Sequence, residues 1–356
     1  MKIKIIIASF RGLALGSLFW LALFSTATTA PAAPRTLNLF IWSEYIDPAI
    51  VKAFAREFDC RVNIDLYEDA ESMLAKVQST GAGSYDVVVP SDNLVPALIK
   101  QKLLAPLRRE NLPNLKNLDA PFVNPAYDPG NQFTVAYQWG TVGILARPAP
   151  GQPAPDSWGV FFDPKQQAGP FLLIDSVRDA VGAALKYQGN SVNTTDPKQL
   201  KAARDLLIEA KRRSVGFDGS VGAKNKILGK TAQVGIVYSG EGVRAIAENT
   251  NLVYVVPKEG SIIWVDNLAV LAKAPHRDLA EQFINFILDP KIGAQLSGFT
   301  QFSTPNRAAK EFLKPADLQN PASYPPAETT AKLEFLQDLG AKLRIYDEVW
   351  TQVKSK

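Results

Sequence analysis

The sequence predicts an α/β fold of two units, each a mainly parallel sheet flanked by helices. Short apolar runs alternate with amphipathic segments along most of the 356 residues, an order that places helices on both faces of a parallel sheet. About 320 residues follow the N-terminal segment described next, enough for two domains of ordinary size, each with its own core. The apolar runs also end in groups of polar and aromatic residues, where open parallel sheets bind ligands.

The chain opens with MKIKIIIASFRGLALGSLFWLALFSTATTAPAA, in which Lys2, Lys4 and Arg11 precede an uncharged run from Gly12 to Ala33. That is the layout of a secretory signal peptide. The dense apolar part, Leu13 to Phe24, is short for a membrane span of ~20 residues, and Ala30-Pro31-Ala32 offers a cleavage site. The expectation is a signal peptide over residues 1–32, cut near Ala32; an uncleaved anchor is the alternative, since apolar residues begin again at Ile5. Cys60 is the single cysteine, so no internal disulfide can form, and none lies near the signal to carry a lipid. Export without disulfides fits a bacterial periplasm. The formal charge of +4 includes the three cations of the signal, which leaves about +1 for the remainder and nothing that steers it toward nucleic acid or membranes.

TLNLFIW reads as a mostly buried strand. Asp47-Pro48 then supplies an N-cap and an N1 proline for a helix whose apolar positions Ile50, Val51, Phe54 and Phe58 share a face. RVNIDLYE is a second strand, Ser72 to Ser79 a helix, YDVVVPS a buried strand closed by Pro90, and Val95 to Leu104 another helix. Asn111 to Gln132 is rich in Pro, Asn and Asp; FTVAYQWGTVGILA is extended chain passing into the second unit. There GPFLLIDS leads into the helix VRDAVGAALKYQG, followed by a charged amphipathic helix from Pro197 to Arg213. AQVGIVYSG adds a strand, and NLVYVVPKEGSIIWVDNLAVLA adds two, joined through a turn at Lys258 to Ser261. Leu279 to Leu288 is helical.

The residues at the strand ends form one candidate set. Trp42, Ser43, Glu44 and Tyr45 follow the first strand, Ser91 to Asn93 follow VVVP, Ser176 and Asp179 follow FLLI, and Tyr238 to Glu241 follow VGIV. Trp264 and Asp266 share a face of IIWVDN by alternation. Carboxylates among rings suit an alkyl ammonium ion: its ends want charge-assisted hydrogen bonds, its methylenes want apolar cover, and a ring face attracts the cation by ~0.5–2 kcal/mol. Glu44, Asp179, Glu241 and Asp266, with no compensating cation, would repel one another and rise in pKa. Metal binding is disfavoured because His276 sits in KAPHRD, away from these strand ends, and calcium-loop spacing is absent. Hydrolysis lacks a nucleophile elbow, a Cys/His pair and an H-E-x-x-H site, though a glycosidase-like carboxylate pair stays open.

Blander readings exist for several of these residues. Ser176-x-x-Asp179 is also a capping box, and Glu241 a first-turn acid favoured by the helix dipole. Gly240, Gly242 and Ala245 form G-x-G-x-x-A, better read as a tight strand-to-helix turn than as a dinucleotide site. Asp266, inside the apolar run Ile262 to Leu271, would cost several kcal/mol unless paired. Cys60 and His276 read as structural.

WSEY, YDVVVPS, NLPNLKNLD, NTTDPK, PKEGSIIWVDNLA, NFILDP and TPNRAAK occur in order along the chain. In these stretches, from about Leu37 to the C-terminus, the chain resembles the periplasmic spermidine/putrescine-binding proteins, the capturing components of polyamine ABC importers. The resemblance implies a two-lobed periplasmic binding protein of type II: lobe 1 from residues 33–140 plus 267–310, lobe 2 from 141–266 plus 311–356, closing over putrescine, spermidine or both. It implies ligand contacts from Trp42, Ser43, Glu44, Tyr45, Ser91, Asp179, Tyr238, Glu241, Trp264, Asp266 and Phe302. Departures from the family pattern are Ser176 for an aspartate, Asn93 and Phe302 for tyrosines, Tyr238 for a tryptophan and Leu336 for a glutamine, which leave the preferred amine open. The implied partner is the membrane permease of an ABC transporter, with no nucleic acid, no metal, no cofactor, no catalysis and a monomeric state. A binding protein for another small cationic amine or an amino acid is the nearest alternative, and an exported carboxylate-pair hydrolase the more distant one.

Overall fold

The first apolar run forms strand β1 (Arg35–Trp42) and is covered on both faces, which is why it reads as continuous rather than alternating. Leu37, Leu39 and Ile41 lie fully buried in one core cluster with Ile50 and Phe54 of the helix Pro48–Glu57 and Phe283 of the helix Arg277–Ile287. The Phe54 and Phe283 rings meet edge to face at 5.1 Å. Phe40 points to the opposite face, stacked on Tyr85 at 4.5 Å. Asp47 caps the helix as its spacing predicts, accepting from the Ala49 amide at 2.7 Å, with Pro48 at N1. This computed structural model describes residues 35–79 and 83–356, so the predicted signal peptide lies outside the described residues.

Beside β1 run β2 (Cys60–Tyr67) and β3 (Val87–Val88), both parallel to it. β4 (Thr134–Ala146), β5 (Phe171–Ile174), β6 (Gly216–Asp218), β7 (Val234–Tyr238), β8 (Val253–Val255), β9 (Ser261–Val270) and β10 (Leu333–Phe335) complete one sheet of order β2-β1-β3-β9-β4-β7-β5-β6, with β10 on β9 and β8 on β4. The predicted parallel pairing holds in the flanks, β2-β1-β3 and β7-β5-β6. The centre is antiparallel, because the long strands β4 and β9 pass between the flanks and run against their neighbours and each other.

Two expectations need correction, and one connection needs its pairing specified. β3 is two residues long rather than the whole of YDVVVPS, since beyond Val88 the chain leaves the ladder at Val89-Pro90 and Pro90 has no amide to give it. The turn at Lys258 to Ser261 joins two strands as expected, but they do not pair with each other: β8 (Val253–Val255) lies opposite Ala146–Ile144 of β4, while β9 takes β4 from Thr141 back to Thr134. The helix expected over Val95 to Leu104 stops at Lys100, and a 3-10 turn, Asp92–Leu94, precedes it. The helix Pro197–Arg213 has its predicted bounds, capped by Asp196 and closed by Lys211, Arg212 and Arg213 where the helix dipole favours cations.

A C-terminal helix, Leu343–Ser355, packs on the helices Val177–Tyr187 and Pro197–Arg213. Tyr346 is its fully buried anchor, with the Arg178 guanidinium 4.7 Å from its ring centre. His276 and Cys60 stay outside the strand-end set: the His276 amide donates to the buried Asp86 at 2.6 Å, and half-buried Cys60 begins β2.

Candidate binding site

Asp266 is the centre of the strand-end cluster. It sits in β9, a strand buried along its whole length, and is 6% exposed. Ser91, bridged to it across the sheet, donates its hydroxyl to the Asp266 carboxylate at 2.5 Å. The buried Tyr45 hydroxyl faces the same carboxylate without reaching strict hydrogen-bond geometry. Burial pushes Asp266 up to about 7, against the opposing pull of Ser91 and Tyr45. Asp266 has no ion-pair partner among the described residues.

The rings form a connected wall. Tyr45 meets Phe302 edge to face at 5.4 Å, Phe302 meets Trp264 at 5.1 Å, and Trp264 meets Tyr238 at 5.7 Å. The backbone makes room for them. A Cβ on Gly140 of β4 would stand 2.6 Å from Trp264, and one on Gly240 would stand 2.6 Å from Phe302. The glycines of G-x-G-x-x-A are therefore packing positions at a tight turn from β7 into the helix Ser239–Glu248, as the sequence suggests.

Beyond the rings lies Asp179, in the first turn of the helix Val177–Tyr187 and 6% exposed. Its carboxylate accepts the Tyr238 hydroxyl at 2.8 Å. Burial raises its pKa, and hydrogen bonds from Ser176 and Tyr238 act against that rise. Ser176 makes no side-chain cap to the helix backbone, so the capping-box reading does not describe this turn. A small cavity walled by Val142, Trp158, Gly182 and Ile262 touches Asp179, and another borders Phe302; neither is lined by Glu44 or Asp266.

Glu44 and Glu241 correct the expectation of four uncompensated acids. Arg244 lies 2.6 Å from Glu241 and 3.2 Å from Glu44, and the buried Lys224 lies 3.6 Å from Glu44. Ser220 adds a hydroxyl to Glu241 at 3.2 Å. Burial raises Glu241, while Arg244 and Lys224 act to lower it. The acids that do rise, Asp179, Glu241 and Asp266, rise chiefly through burial rather than through mutual repulsion. Glu44 itself has positive φ (+52°) in the loop after β1, which turns its side chain out of the strand direction.

The remaining candidates sit at the margin. Trp42 donates to the Val89 carbonyl at 3.1 Å, which also accepts from Tyr67, and so braces the loop that carries Ser91. Ser43 donates to Glu68, outside the set. Two residues escaped the sequence reading as site residues, Lys224 and Arg244; Arg244 stands one helical turn after Glu241, a spacing that signals an ion pair. Asp92 lies within the candidate strand-end set but is not counted among its acids: it is 2% exposed, one of its oxygens has no partner among the described residues, and its pKa is raised by burial, with Asp266 adding to the rise.

A sheet crossed by two long strands, with a buried acid beside a wall of rings, is an arrangement suited to holding a small solute. The chain belongs to the bacterial extracellular solute-binding proteins, whose family profile matches residues 49–326. The Spermidine/putrescine-binding periplasmic protein of Escherichia coli (strain K12) is 33% identical over 322 residues, covering 90% of this chain and 92% of that protein. The Putrescine/agmatine-binding protein of Pseudomonas aeruginosa is 34% identical over 353 residues, covering 93% and 95%. Among solved structures, the spermidine/putrescine ABC transporter substrate-binding protein PotD from Streptococcus pneumoniae superposes with a TM-score of 0.78 at 30% identity, covering 90% of this chain and 99% of that one.

Proposed function

We propose that the protein is the periplasmic solute-binding component of an ABC importer, capturing putrescine, spermidine or both between two closing lobes and presenting the loaded form to a membrane permease. The observation that carries this reading is Asp266, a buried carboxyl held by hydroxyls and rings with no cation against it among the described residues. A buried charge in that state is costly until an opposite charge joins it. An ammonium ion on Asp266 and a second on Asp179 would lay the methylenes between them along Phe302, Trp264 and Tyr238. The relatives named for putrescine and spermidine support the same ligand class.

Lobe 1 would comprise residues 33–140 plus 267–310 and lobe 2 residues 141–266 plus 311–356, with β4 and β9 as the crossing strands about which they move. Trp42, Ser43, Glu44, Tyr45, Ser91 and Phe302 would contribute from the first side, and Asp179, Tyr238, Glu241, Trp264 and Asp266 from the second. The protein would reach the periplasm through a cleaved signal peptide, act as a monomer and catalyse no reaction. Thermal-shift measurements with putrescine, spermidine, spermine and common amino acids test this directly. Stabilisation by a polyamine is expected; stabilisation by an amino acid alone, or by none of them, would end the reading.

A further inference from the structure

We infer that Lys224 and Arg244 form a charge stop that restricts the site to diamines by excluding a third ammonium group. The inference rests on the polyamine reading and deepens it. Both cations are withdrawn from bulk water: Lys224 is 6% exposed and the Arg244 side chain 16%. They come from two helices, Ser220–Leu228 and Ser239–Glu248, and meet at Glu44, which the loop after β1 brings to them. The group Glu44, Glu241, Lys224 and Arg244 thus carries two negative and two positive charges and has none left over for a ligand.

Its position makes this matter for selectivity. The group backs directly onto the ring wall: Ser220 donates its hydroxyl to Glu241 at 3.2 Å and accepts from the Tyr238 amide at 2.9 Å, while the Tyr238 hydroxyl reaches Asp179 at 2.8 Å and Glu44 is the chain neighbour of Tyr45. Asp266 and Asp179 remain as seats for two ammonium ions. A longer triamine would have to carry its third positive charge toward this balanced group, where Lys224 and Arg244 already hold both carboxylates. An ammonium taken out of water with no carboxylate free to receive it weakens binding by about tenfold or more.

The experiment compares the affinities of putrescine and spermidine by calorimetry in the wild-type protein and in Arg244→Gln, Lys224→Gln and Arg244→Lys. The wild type should bind putrescine at least about tenfold more tightly than spermidine. Arg244→Gln and Lys224→Gln should each shift that ratio toward spermidine by about tenfold, because a cation is removed and Glu44 or Glu241 is freed. Arg244→Lys, which keeps the charge, should hold the wild-type preference. General loss of structure lowers both affinities together and leaves the ratio in place, so the ratio isolates the charge. An unshifted ratio in both glutamine variants, or a wild type that prefers spermidine, overturns the charge stop while polyamine binding stands. A wild type that binds neither amine overturns both.

Discussion

Replacing Asp266 by Asn separates charge from shape at the centre of the cluster. In the ligand-free protein burial holds the carboxyl at about 7, above its ordinary value of 3.8. An ammonium ligand needs the ionised form, so the affinity of the wild type should rise with pH, level off near pH 8, and fall about tenfold by pH 6. Asp92, Asp179 and Glu241 shift in the same direction, so a slope steeper than one proton is expected wherever they too must ionise. A charge-assisted hydrogen bond contributes about 1.5–3 kcal/mol, which makes the loss in Asp266→Asn roughly 10- to 150-fold at pH 8.

The sign for stability is the reverse. A carboxyl raised in the fold stabilises fully below its unfolded value and loses that contribution as pH climbs through the folded value. Above pH 7 the ligand-free protein therefore carries a penalty of up to about 4 kcal/mol from this group. Asp266→Asn should melt several degrees higher than wild type at pH 8 without ligand and gain little from putrescine. Calorimetry across pH 5.5 to 8.5, with melting curves at each end, reads both effects. A pH-independent wild type, or an Asn variant that binds as tightly as wild type, would refute the reasoning.

Gly140→Ala forces a methyl toward Trp264 at 2.6 Å and should cost about 1–3 kcal/mol in urea unfolding, together with reduced affinity. Tyr238→Phe removes the donor at 2.8 Å from Asp179, so Asp179 should rise further in pKa; affinity should fall roughly fivefold or more, with the midpoint of its pH profile moved upward. Glu44→Gln breaks a pair whose Glu side chain is 48% exposed and screened by solvent, so urea unfolding should shift by less than about 1 kcal/mol, and less still at high salt.

Local signals in the sequence were legible because their cause is local. Asp47-Pro48 and Asp196-Pro197 specify helix starts through a side-chain oxygen and a fixed φ, and both helices begin there. The pairing of β8 with β4 was not legible, because a turn between two strand-like runs does not reveal which neighbour each will meet. The C-terminal helix was missed because its buried face is spaced thinly, at Tyr346, Val349 and Val353, within a charged segment. At the site, Asp266 announced itself by interrupting an apolar strand, and the rings by standing at strand ends. Lys224 gave no such sign, and Arg244 signalled no more than a pair with Glu241 one turn before it; only the fold brings the two helices together at Glu44.

The most direct test of the polyamine reading is a crystal structure of the protein with putrescine, determined near pH 8. The account predicts one ammonium group within hydrogen-bond distance of Asp266, the other beside Asp179, and the carbon chain against Phe302 and Trp264. A diamine bound elsewhere, with Asp266 still facing only Ser91 and Tyr45, would contradict it.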